Sequence, residues 1–423
     1  MYMQEMAAMP TSRRRFLAMA SASASLALLP APALQAAPPV RDDRPWIPSD
    51  AFLAGLPEWM RAFGVPGVAI AVVERGELAW HRGFGVADVE SGAAVDADSV
   101  FECASLSKPV FAYLVLQLVD AGVLQLDRAL VDYHRPDFLA GDDPRLERIS
   151  VRDVLRHGSG LPDWRAHPER DPLRTIAEPG QRVNYSGEAF FWLQRVVETV
   201  TGQSLDQLAQ RRLFEPAGMR GSTYTWNAHA ARHSVTGVPA PGAQPVVETF
   251  RAQWPLLQPL AEAQGKPLSA WTWDDAVRAL PLAQAAAPEG MFVWPGDLLA
   301  NAAASLRGPV QDYARFIAHV MRRETRQEWE IGEATRQAML APQLAVRPGW
   351  LDKGLGWNLE RVDADARWFF HGGSNAGRYK TFAVGDPQRR RGLVVMTSGG
   401  GGTGVYQRIV RAATGRDMLA FDL

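Results

Sequence analysis

The sequence predicts an α+β (mixed α/β) fold: an antiparallel sheet drawn from both chain ends, flanked by terminal helices, beside a mostly helical lobe. Three observations support this prediction. β-Branched and small residues alternate near the N-terminus, apolar residues follow helical spacing through the middle, and alternation returns in the last third. The chain has 423 residues, 47% of them hydrophobic, which is enough to bury a large core.

Strands are predicted at the two ends of the chain. The stretch "GVAIAVVERGELAWHRGFG" has a Glu-Arg-Gly turn in its middle, which predicts a hairpin of Val68–Val73 and Glu77–His81. Near the C-terminus, "ARWFFHGG", "RYKTFAV" and "GLVVMTS" predict three more strands, with turns at Gly373–Gly377 and Asp386–Gly392. The two sets can pair into one antiparallel sheet.

Helices are predicted mainly between these strands. "SKPVFAYLVLQLVDAGVLQLD" has apolar residues at helical spacing, and "SVRDVLRHGSGLPDW" begins with a capping box of Ser150 and Asp153. The stretch "YSGEAFFWLQRVVETVTGQSLDQLAQRRLFEPAGM" predicts two helices, the first ending at Gly202 and the second capped by Ser204 with Gln207. A helix with its own turn is predicted in "NAAASLRGPVQDYARFIAHVM", and "GVYQRIVRAATG" predicts a closing helix.

The first residues predict an export signal. A basic block precedes an apolar stretch, and small residues follow where a signal peptidase could cut. The order Ser12-Arg13-Arg14-Arg15-Phe16-Leu17 is typical of twin-arginine signals, with an ordinary Sec signal or an uncleaved anchor as alternatives. We therefore expect a signal peptide over 1–36 and a periplasmic or secreted bacterial protein, with no stable membrane anchor after cleavage.

The remaining residues, 37–423, are expected to form a single domain. A sheet lobe of about 45–104 and 300–423 would lie beside a helical lobe of about 105–299. The formal net charge of −1 gives no reason to expect a nucleic acid partner. The histidines lack metal-ligand spacing, so no metal and no cofactor is expected. The oligomeric state cannot be inferred from these patterns.

The start of the long apolar helix brings a serine and a lysine together. In "CASLSKPV", Ser105 and Lys108 are three residues apart and share one helix face. Ser105 falls at the helix N-terminus, where free N–H groups favour an oxyanion. The apolar residues after Lys108 are expected to desolvate its ammonium and lower its pKa, so that neutral lysine can accept the serine proton. Pro109 predicts a tight, 3₁₀-like helix start.

The same stretch allows other interpretations. Ser105 could be only an N-cap and Lys108 a solvated charge, because S-x-x-K spacing is common by chance. Ser107 is the rival nucleophile, but it is adjacent to Lys108 in sequence and would face the opposite side, which favours Ser105.

Two later segments add groups suited to the same chemistry. "GQRVNYSGEAF" places Tyr185 on a turn before a helix, and "FFHGGSNAG" places His371, Gly372 and Gly373 at a strand end, where glycines let a substrate lie close. In this order, S-x-x-K, Y-S-x and H-G-G resemble the serine β-lactamase and penicillin-binding superfamily, in particular its class C β-lactamase-like branch. That branch includes family VIII carboxylesterases, D-stereospecific peptidases and 6-aminohexanoate-dimer hydrolase.

The resemblance covers most of the chain after the signal, including "ISVRDVLRHGSGLPDW" and "GLGWNLE". It implies a β-lactamase/transpeptidase-like catalytic domain that hydrolyses a small ester, amide or peptide through an acyl-enzyme. It implies Ser105 as nucleophile, Lys108 as its proton partner, and Tyr185 as a second acid/base group with a lowered pKa. The oxyanion hole is implied to be the backbone N–H groups of Ser105 and Ser374. Tyr185 as a packing aromatic remains the alternative, and His157 is expected to support the cleft floor.

Two substrate-binding positions depart from the family pattern. The tyrosine motif often ends in an asparagine whose amide contacts an acylamido group, whereas here the third position is Gly187. True β-lactamases usually carry K-T-G where this chain has His371-Gly372-Gly373. His371 is expected to be mostly neutral at pH 7, and it could bind substrate, partner Tyr185 or be structural. Both departures argue against efficient β-lactam hydrolysis but not against acyl transfer.

The segment from about Thr225 to Asn301 resembles the family least. Its tryptophans could line an acyl or aryl site or simply pack the lobe. They are Trp226, Trp254, Trp271, Trp273 and Trp294. The favoured function is therefore a serine hydrolase acting on a small ester or amide. A β-lactamase or D-amino-acid peptidase acting on cell-wall fragments is one alternative, and an acylated sensor or binding domain without turnover is another.

Overall fold

The computed structural model describes residues 44–240, 257–287, 293–322 and 327–422. Strands from both ends of the chain form an eight-stranded antiparallel sheet of order β2-β1-β10-β9-β8-β7-β6-β5, and β3 pairs separately with β4. The predicted fold class is confirmed. The predicted signal peptide and Trp254 lie outside the described residues. The strands are β1 Gly67–Glu74, β2 Glu77–Gly85, β3 Phe101–Glu102, β4 Arg307–Gly308, β5 Leu344–Arg347, β6 Leu351–Lys353, β7 Asn358–Asp363, β8 Ala366–Asn375, β9 Tyr379–Asp386 and β10 Arg391–Thr397.

Helices cover both faces of the sheet and build the middle of the chain. The α-helices span Asp50–Ala62, Ser107–Asp120, Val151–Leu155, Gly187–Thr201, Leu205–Ala209, Ala228–His233, Trp273–Ala286, Val310–Val320, Glu333–Met339 and Gly402–Thr414. Shorter 3₁₀ turns span Ala104–Leu106, Leu130–Asp132, Pro144–Arg148, Leu268–Ala270, Pro295–Leu298 and Leu419–Asp422, and Gln210–Phe214 is a π-helical turn. No helix among the described residues is both long and apolar enough to cross a membrane.

The predicted N-terminal hairpin is confirmed as β1 and β2, which are both longer than expected. Arg75 and Gly76 turn the chain with φ values of 55° and 84°, the backbone that a two-residue hairpin of type I′ needs. Alternate residues of β1 enter two different cores. Val68, Ile70 and Val72 pack with the helices Asp50–Ala62 and Gly402–Thr414, and the residues between them face the helical side of the sheet.

Two boundaries differ from prediction near the C-terminal sheet. Strand β8 continues to Asn375, so Gly373 lies inside a strand, and the turn falls at Ala376 and Gly377, which have φ values of 48° and 63°. The helix predicted over 301–321 begins only at Val310. The residues before Val310 form tertiary contacts instead of a helix, since Arg307–Gly308 pairs with β3. Pairing outweighed local helix propensity there.

The helix Ser107–Asp120 runs through the largest core and is buried on all sides from its first residue to Leu118. A helix that is apolar around its whole circumference is typical of the interior of a large domain. Because its N-terminal end lies against β8, the centre of the sheet and the start of this helix meet at one place.

Candidate active site

The chain enters the buried helix through a strained turn. Ala104 has a φ of 52°, in a region that residues with a β-carbon rarely occupy, and the 3₁₀ turn Ala104–Leu106 follows directly. The predicted tight start is therefore confirmed. Ser105 is the central residue of this turn, so the backbone of the turn fixes the position of its side chain.

Three of the predicted site residues meet at the Ser105 hydroxyl. The Lys108 Nζ lies 3.2 Å from Ser105 Oγ, and the Tyr185 hydroxyl donates a hydrogen bond to the same oxygen at 2.8 Å. Lys108 Nζ also donates to the Ala303 carbonyl at 2.9 Å. This arrangement leaves one serine oxygen between two groups that can exchange protons with it.

Lys108 is only 2% exposed, and burial lowers its pKa to about 7. Removing the ammonium from water disfavours its charged form, and the charge of Lys353 acts in the same direction, while Asp163 opposes both. The expected lowering of the Lys108 pKa is thus confirmed in direction. A lysine that is partly neutral near pH 7 can accept a proton, which an ordinary surface lysine cannot do.

The environment of Tyr185 differs from the expectation. Burial raises its pKa above 10, whereas the sequence-based prediction was a lowered pKa. The loss of solvent around the phenol outweighs the stabilising hydrogen bond with Ser105. Tyr185 therefore stays protonated at neutral pH and acts as a hydrogen-bond donor in this structure.

His157 holds the Tyr185 ring from the other side. The two rings stack with centroids 4.3 Å apart and planes inclined by 26°. The Ser186 backbone N–H donates to His157 Nδ1 at 3.2 Å, which requires the neutral tautomer with its proton on Nε2. Burial lowers the pKa of His157 as well, so the ring is a neutral support for the tyrosine.

Strand β8 lies against the nucleophile turn at Gly373. A β-carbon there would come 2.3 Å from Thr381 Oγ1, 2.8 Å from the Cys103 carbonyl oxygen and 3.0 Å from the Ser105 backbone nitrogen. At Gly372, by contrast, the nearest atom would be 3.7 Å away, which is ordinary contact. Glycine is therefore needed at 373 for the close approach, and Ser374 follows it on the same strand.

Gly187 lies two residues after Tyr185, under the indole of Trp164. A β-carbon at residue 187 would come 2.1 Å from Trp164 Cζ2. The Gly187 N–H donates to the Asp163 carboxylate at 3.0 Å, which ties this turn to the loop that carries the tryptophan. Trp164 itself is 45% exposed, so its ring is both packed on Gly187 and open to the solvent.

His371 is buried and neutral, as expected. Its Nδ1–H donates to the Gly372 carbonyl at 2.7 Å, and burial together with the nearby lysines lowers its pKa to about 3. The centre of the His371 ring lies 6.5 Å from the centre of the Tyr185 ring. The two rings are therefore neighbours, but this distance does not indicate a hydrogen bond between them. His371 is thus near Tyr185 without replacing the cation of a K-T-G motif.

Comparisons with known proteins agree with this geometry. The sequence model of the family described as Beta-lactamase matches residues 56–416. The chain belongs to the beta-lactamase family. Like other folds of this family, it combines a large antiparallel sheet with a helical lobe. Its nucleophile turn, buried lysine and tyrosine occupy one site within the matched range.

Similar proteins include a penicillin-binding protein and an esterase. Penicillin-binding protein 4 of Amycolatopsis lactamdurans is 35% identical over 171 residues, which are 37% of this chain and 44% of that protein. Esterase EstB of Burkholderia gladioli is 30% identical over 227 residues, 47% of this chain and 55% of that protein. The matched segments thus span about half the length of these curated relatives.

Solved structures extend the likeness of fold over most of the chain. The D-alanine carboxypeptidase AmpC of Burkholderia cenocepacia aligns with a TM-score of 0.63 at 18% identity, covering 86% of this chain and 98% of that one. A penicillin-binding protein homologue from Pyrococcus abyssi aligns with a TM-score of 0.64 at 17% identity, covering 87% and 78%. At such identities the likeness concerns the fold alone.

Two further lysines lie at the site of this beta-lactamase family member, although the sequence patterns did not predict them there. Lys353, at the end of β6, is buried with its Nζ 5.8 Å from the centre of the Tyr185 ring. Lys380, opposite Ser374 in the β8–β9 register, places its Nζ 2.8 Å from Ser374 Oγ. The chain has only four lysines among 45 basic residues, and three of them lie at or beside this site. The scarcity of lysine elsewhere in the chain could have indicated these residues, because a buried lysine can lose its proton and an arginine cannot.

The rival nucleophile and the tryptophans have structural surroundings. Ser107 is fully buried, where its hydroxyl donates to the Ala104 carbonyl and accepts from the Leu306 N–H at 3.0 Å. Trp273 and Trp294 pack on each other and on Phe191, with ring centres 5.1–6.1 Å apart. The remaining described tryptophans of the segment, Trp226 and Trp271, are buried. These residues pack the helical lobe.

Proposed function

We propose that this chain is a serine hydrolase that forms an acyl-enzyme on Ser105 and acts on a small ester or amide. One observation carries the proposal: a single serine oxygen lies 3.2 Å from a buried lysine nitrogen and 2.8 Å from a tyrosine hydroxyl. A packing role for Tyr185 would not require its hydroxyl to point at Ser105. The esterase among the similar proteins supports the same reaction class.

Acylation would use the hydrogen bonds already present. Neutral Lys108 takes the proton from Ser105 Oγ while that oxygen attacks the carbonyl carbon of the substrate. The oxygen of the tetrahedral intermediate would accept N–H bonds from Ser105 and Ser374. The bond to the leaving group then breaks, Tyr185 gives its proton to the leaving group, and the Lys108 ammonium restores the tyrosine proton.

Deacylation would reverse these roles with water. A water molecule loses its proton to the Lys108–Tyr185 pair and attacks the acyl carbon. The ester bond to Ser105 breaks, its oxygen recovers the proton, and the free acid leaves. In an acylated sensor without turnover, this deacylation step would fail. The contacts of Lys108 and Tyr185 with Ser105 Oγ give no reason for such a failure.

The substrate class follows from the surroundings of Gly187. An asparagine side chain at this position would occupy the space that the Trp164 ring fills. An acylamido group would therefore meet an aromatic surface instead of an amide, and an apolar acyl group would contact that surface favourably. We therefore propose that the substrate is a small ester or amide with an apolar acyl group.

A second candidate, a D-amino-acid peptidase or β-lactamase, is favoured by Lys380. Its ammonium lies on Ser374 Oγ, beside the proposed oxyanion hole, where it could attract a substrate carboxylate. His371 stands where the K-T-G lysine usually lies, but Lys380 supplies a cation from the neighbouring strand β9. A carboxylate-bearing substrate thus remains a specific alternative to a simple ester.

The two candidates separate in one substrate panel. Purified protein is assayed with p-nitrophenyl acetate and butyrate, nitrocefin, and D-Ala-D-Ala peptides, together with Lys380→Met. We expect ester hydrolysis that Lys380→Met leaves within about threefold, and weak or absent turnover of nitrocefin and the peptides. A kcat/KM for nitrocefin or a peptide well above that for the esters, lost in Lys380→Met, would establish the second candidate.

A further inference from the structure

Lys353 is a buried cation that the proposed reaction does not use. It ends the three-residue strand β6, is 8% exposed, and donates a hydrogen bond from Nζ to the Asn358 side-chain oxygen. Its Nζ lies 5.8 Å from the centre of the Tyr185 ring, and the Lys108 Nζ lies 4.6 Å from the same centre. Two lysine side chains from different elements therefore converge on one tyrosine.

Two ammonium groups so placed repel each other. Screening by water is weak at buried sites, so the mutual cost of two charges is larger than at a surface. Burial lowers the pKa of Lys353 to about 8 and that of Lys108 to about 7, and the Lys353 charge contributes to the lower value at Lys108. The pair therefore loses its first proton near neutral pH, and Lys108, which has the lower pKa, lies 3.2 Å from the Ser105 oxygen that it would deprotonate.

Of the other titratable groups around the pair, Asp163 opposes the effect of Lys353 on Lys108. His157 and His371 carry lowered pKa values and are neutral at pH 7, and Tyr185 remains protonated. Asp163 raises the pKa of Lys108, and its effect there is larger than that of Lys353, so the Lys353 charge offsets part of this rise. Burial and the neighbouring Glu188 raise the pKa of Asp163 itself.

We propose that Lys353 is a positioning residue whose charge keeps Lys108 neutral, and so able to accept the Ser105 proton, near pH 7. The inference rests on the proposed function, since Lys353 acts only through the base Lys108. Asn358 holds the Lys353 ammonium through its side-chain oxygen and is in turn held by a bond to the Phe370 carbonyl at 3.3 Å. The cation is thereby fixed in place without a carboxylate that would neutralise it at this contact.

The test compares pH profiles of kcat/KM for p-nitrophenyl butyrate in the wild type, Lys353→Met and Lys353→Arg. Loss of the charge should raise the Lys108 pKa and shift the acidic limb upward by about one pH unit. At pH 7 that shift lowers the rate about fivefold, because the neutral fraction of Lys108 falls from about one half to about one tenth when its pKa of about 7 rises by one unit, and the rate should recover above pH 9. Lys353→Arg keeps the charge and should keep the acidic limb at or below its wild-type position.

Arg347→Met is the matched control, because Arg347 is an exposed cation on the neighbouring strand β5. It should leave the acidic limb unchanged. An unshifted limb in Lys353→Met, or a loss of rate that is equal at every pH, overturns the role of Lys353. If Lys353→Met does not fold, Lys353→Gln, which can still donate to Asn358, gives the same comparison.

Labelling with a fluorophosphonate probe separates this inference from the proposed function. In the wild type, Ser105 should label at pH 7 and at pH 9, whereas Lys353→Met should label about fivefold more slowly at pH 7 only. Equal labelling rates at pH 7 in both proteins would overturn the role of Lys353 alone. Absence of label on Ser105 in the wild type would instead remove the proposed function on which the inference rests.

Discussion

The indole of Trp164 lies across the α-carbon of Gly187, in the space that any side chain at residue 187 would need. A β-carbon there would come 2.1 Å from Trp164 Cζ2. Where the family pattern often has an asparagine, this chain therefore has a glycine that leaves room for the Trp164 ring. Gly187 follows Tyr185 by two residues, so this contact lies beside the turn that carries Tyr185.

This pairing predicts a strong coupling between the two positions. Gly187→Asn alone must displace the Trp164 ring, so kcat/KM for p-nitrophenyl butyrate should fall about tenfold. In Trp164→Ala with Gly187→Asn, the asparagine has room, and the loss relative to Trp164→Ala should be at most about twofold. The measurement is a double-mutant cycle on kcat/KM. Purely additive effects would show that the ring does not constrain residue 187.

The close approach of β8 to the nucleophile turn predicts different tolerances at two neighbouring glycines. Gly373→Ala would force a methyl group against Cys103 O and Ser105 N, so it should displace the proposed oxyanion hole and lower kcat about 100-fold. Gly372→Ala is the control, since its nearest neighbour is 3.7 Å away. It should stay within about threefold of the wild type. Full activity of Gly373→Ala, measured together with Tm, would contradict the placement of the hole on β8.

The lowered pKa of Lys108 predicts the pH dependence of the reaction. Lys108 accepts a proton only when neutral, so kcat/KM should rise about tenfold per pH unit below its pKa of about 7 and level off above about pH 8. Lys108→Arg should lose on the order of 10²–10⁴-fold at every pH, since a guanidinium does not deprotonate. A wild-type rate that is flat from pH 5.5 to 8 would exclude Lys108 as the base.

The sequence predicted which side chains meet at this site better than it predicted their pKa values. The spacing of Ser105 and Lys108 and the apolar run after them were sufficient to predict a shared face and a desolvated lysine. The pKa of Tyr185 was predicted in the wrong direction, because its burial depends on His157 and on strands distant in sequence. Burial of one side chain by several elements has no local pattern from which to predict it.

The fold was predictable wherever periodicity was long. The hairpin, the three closing strands and the capped helices follow from alternation and from residues such as Gly202, whose φ is 66°. Strands β5 and β6 span four and three residues, too few for alternation to be visible, so Lys353 was not placed near the site. The contact of Trp164 with Gly187 could not be predicted from the sequence either, because it joins a loop to the first residue of the helix Gly187–Thr201.

We also propose export through the twin-arginine pathway, which the first residues favour. Arg13→Lys combined with Arg14→Lys should leave precursor in the cytoplasm, because that pathway depends on the arginine pair. Arg41→Lys, outside the motif, serves as the control and should not change the distribution. Fractionation and immunoblotting provide the measurement. Normal periplasmic accumulation of the double variant would indicate a Sec signal.

The central claim is that Ser105 is the nucleophile, and intact-mass analysis after reaction with a fluorophosphonate probe tests it most directly. The wild type should gain one adduct on the peptide that contains Ser105, and Ser105→Ala should gain none. Ser107→Ala, which changes the neighbouring hydroxyl that bonds Leu306 N, should still gain the adduct. An adduct on Ser105→Ala protein, at the same rate as on the wild type, would contradict the assignment.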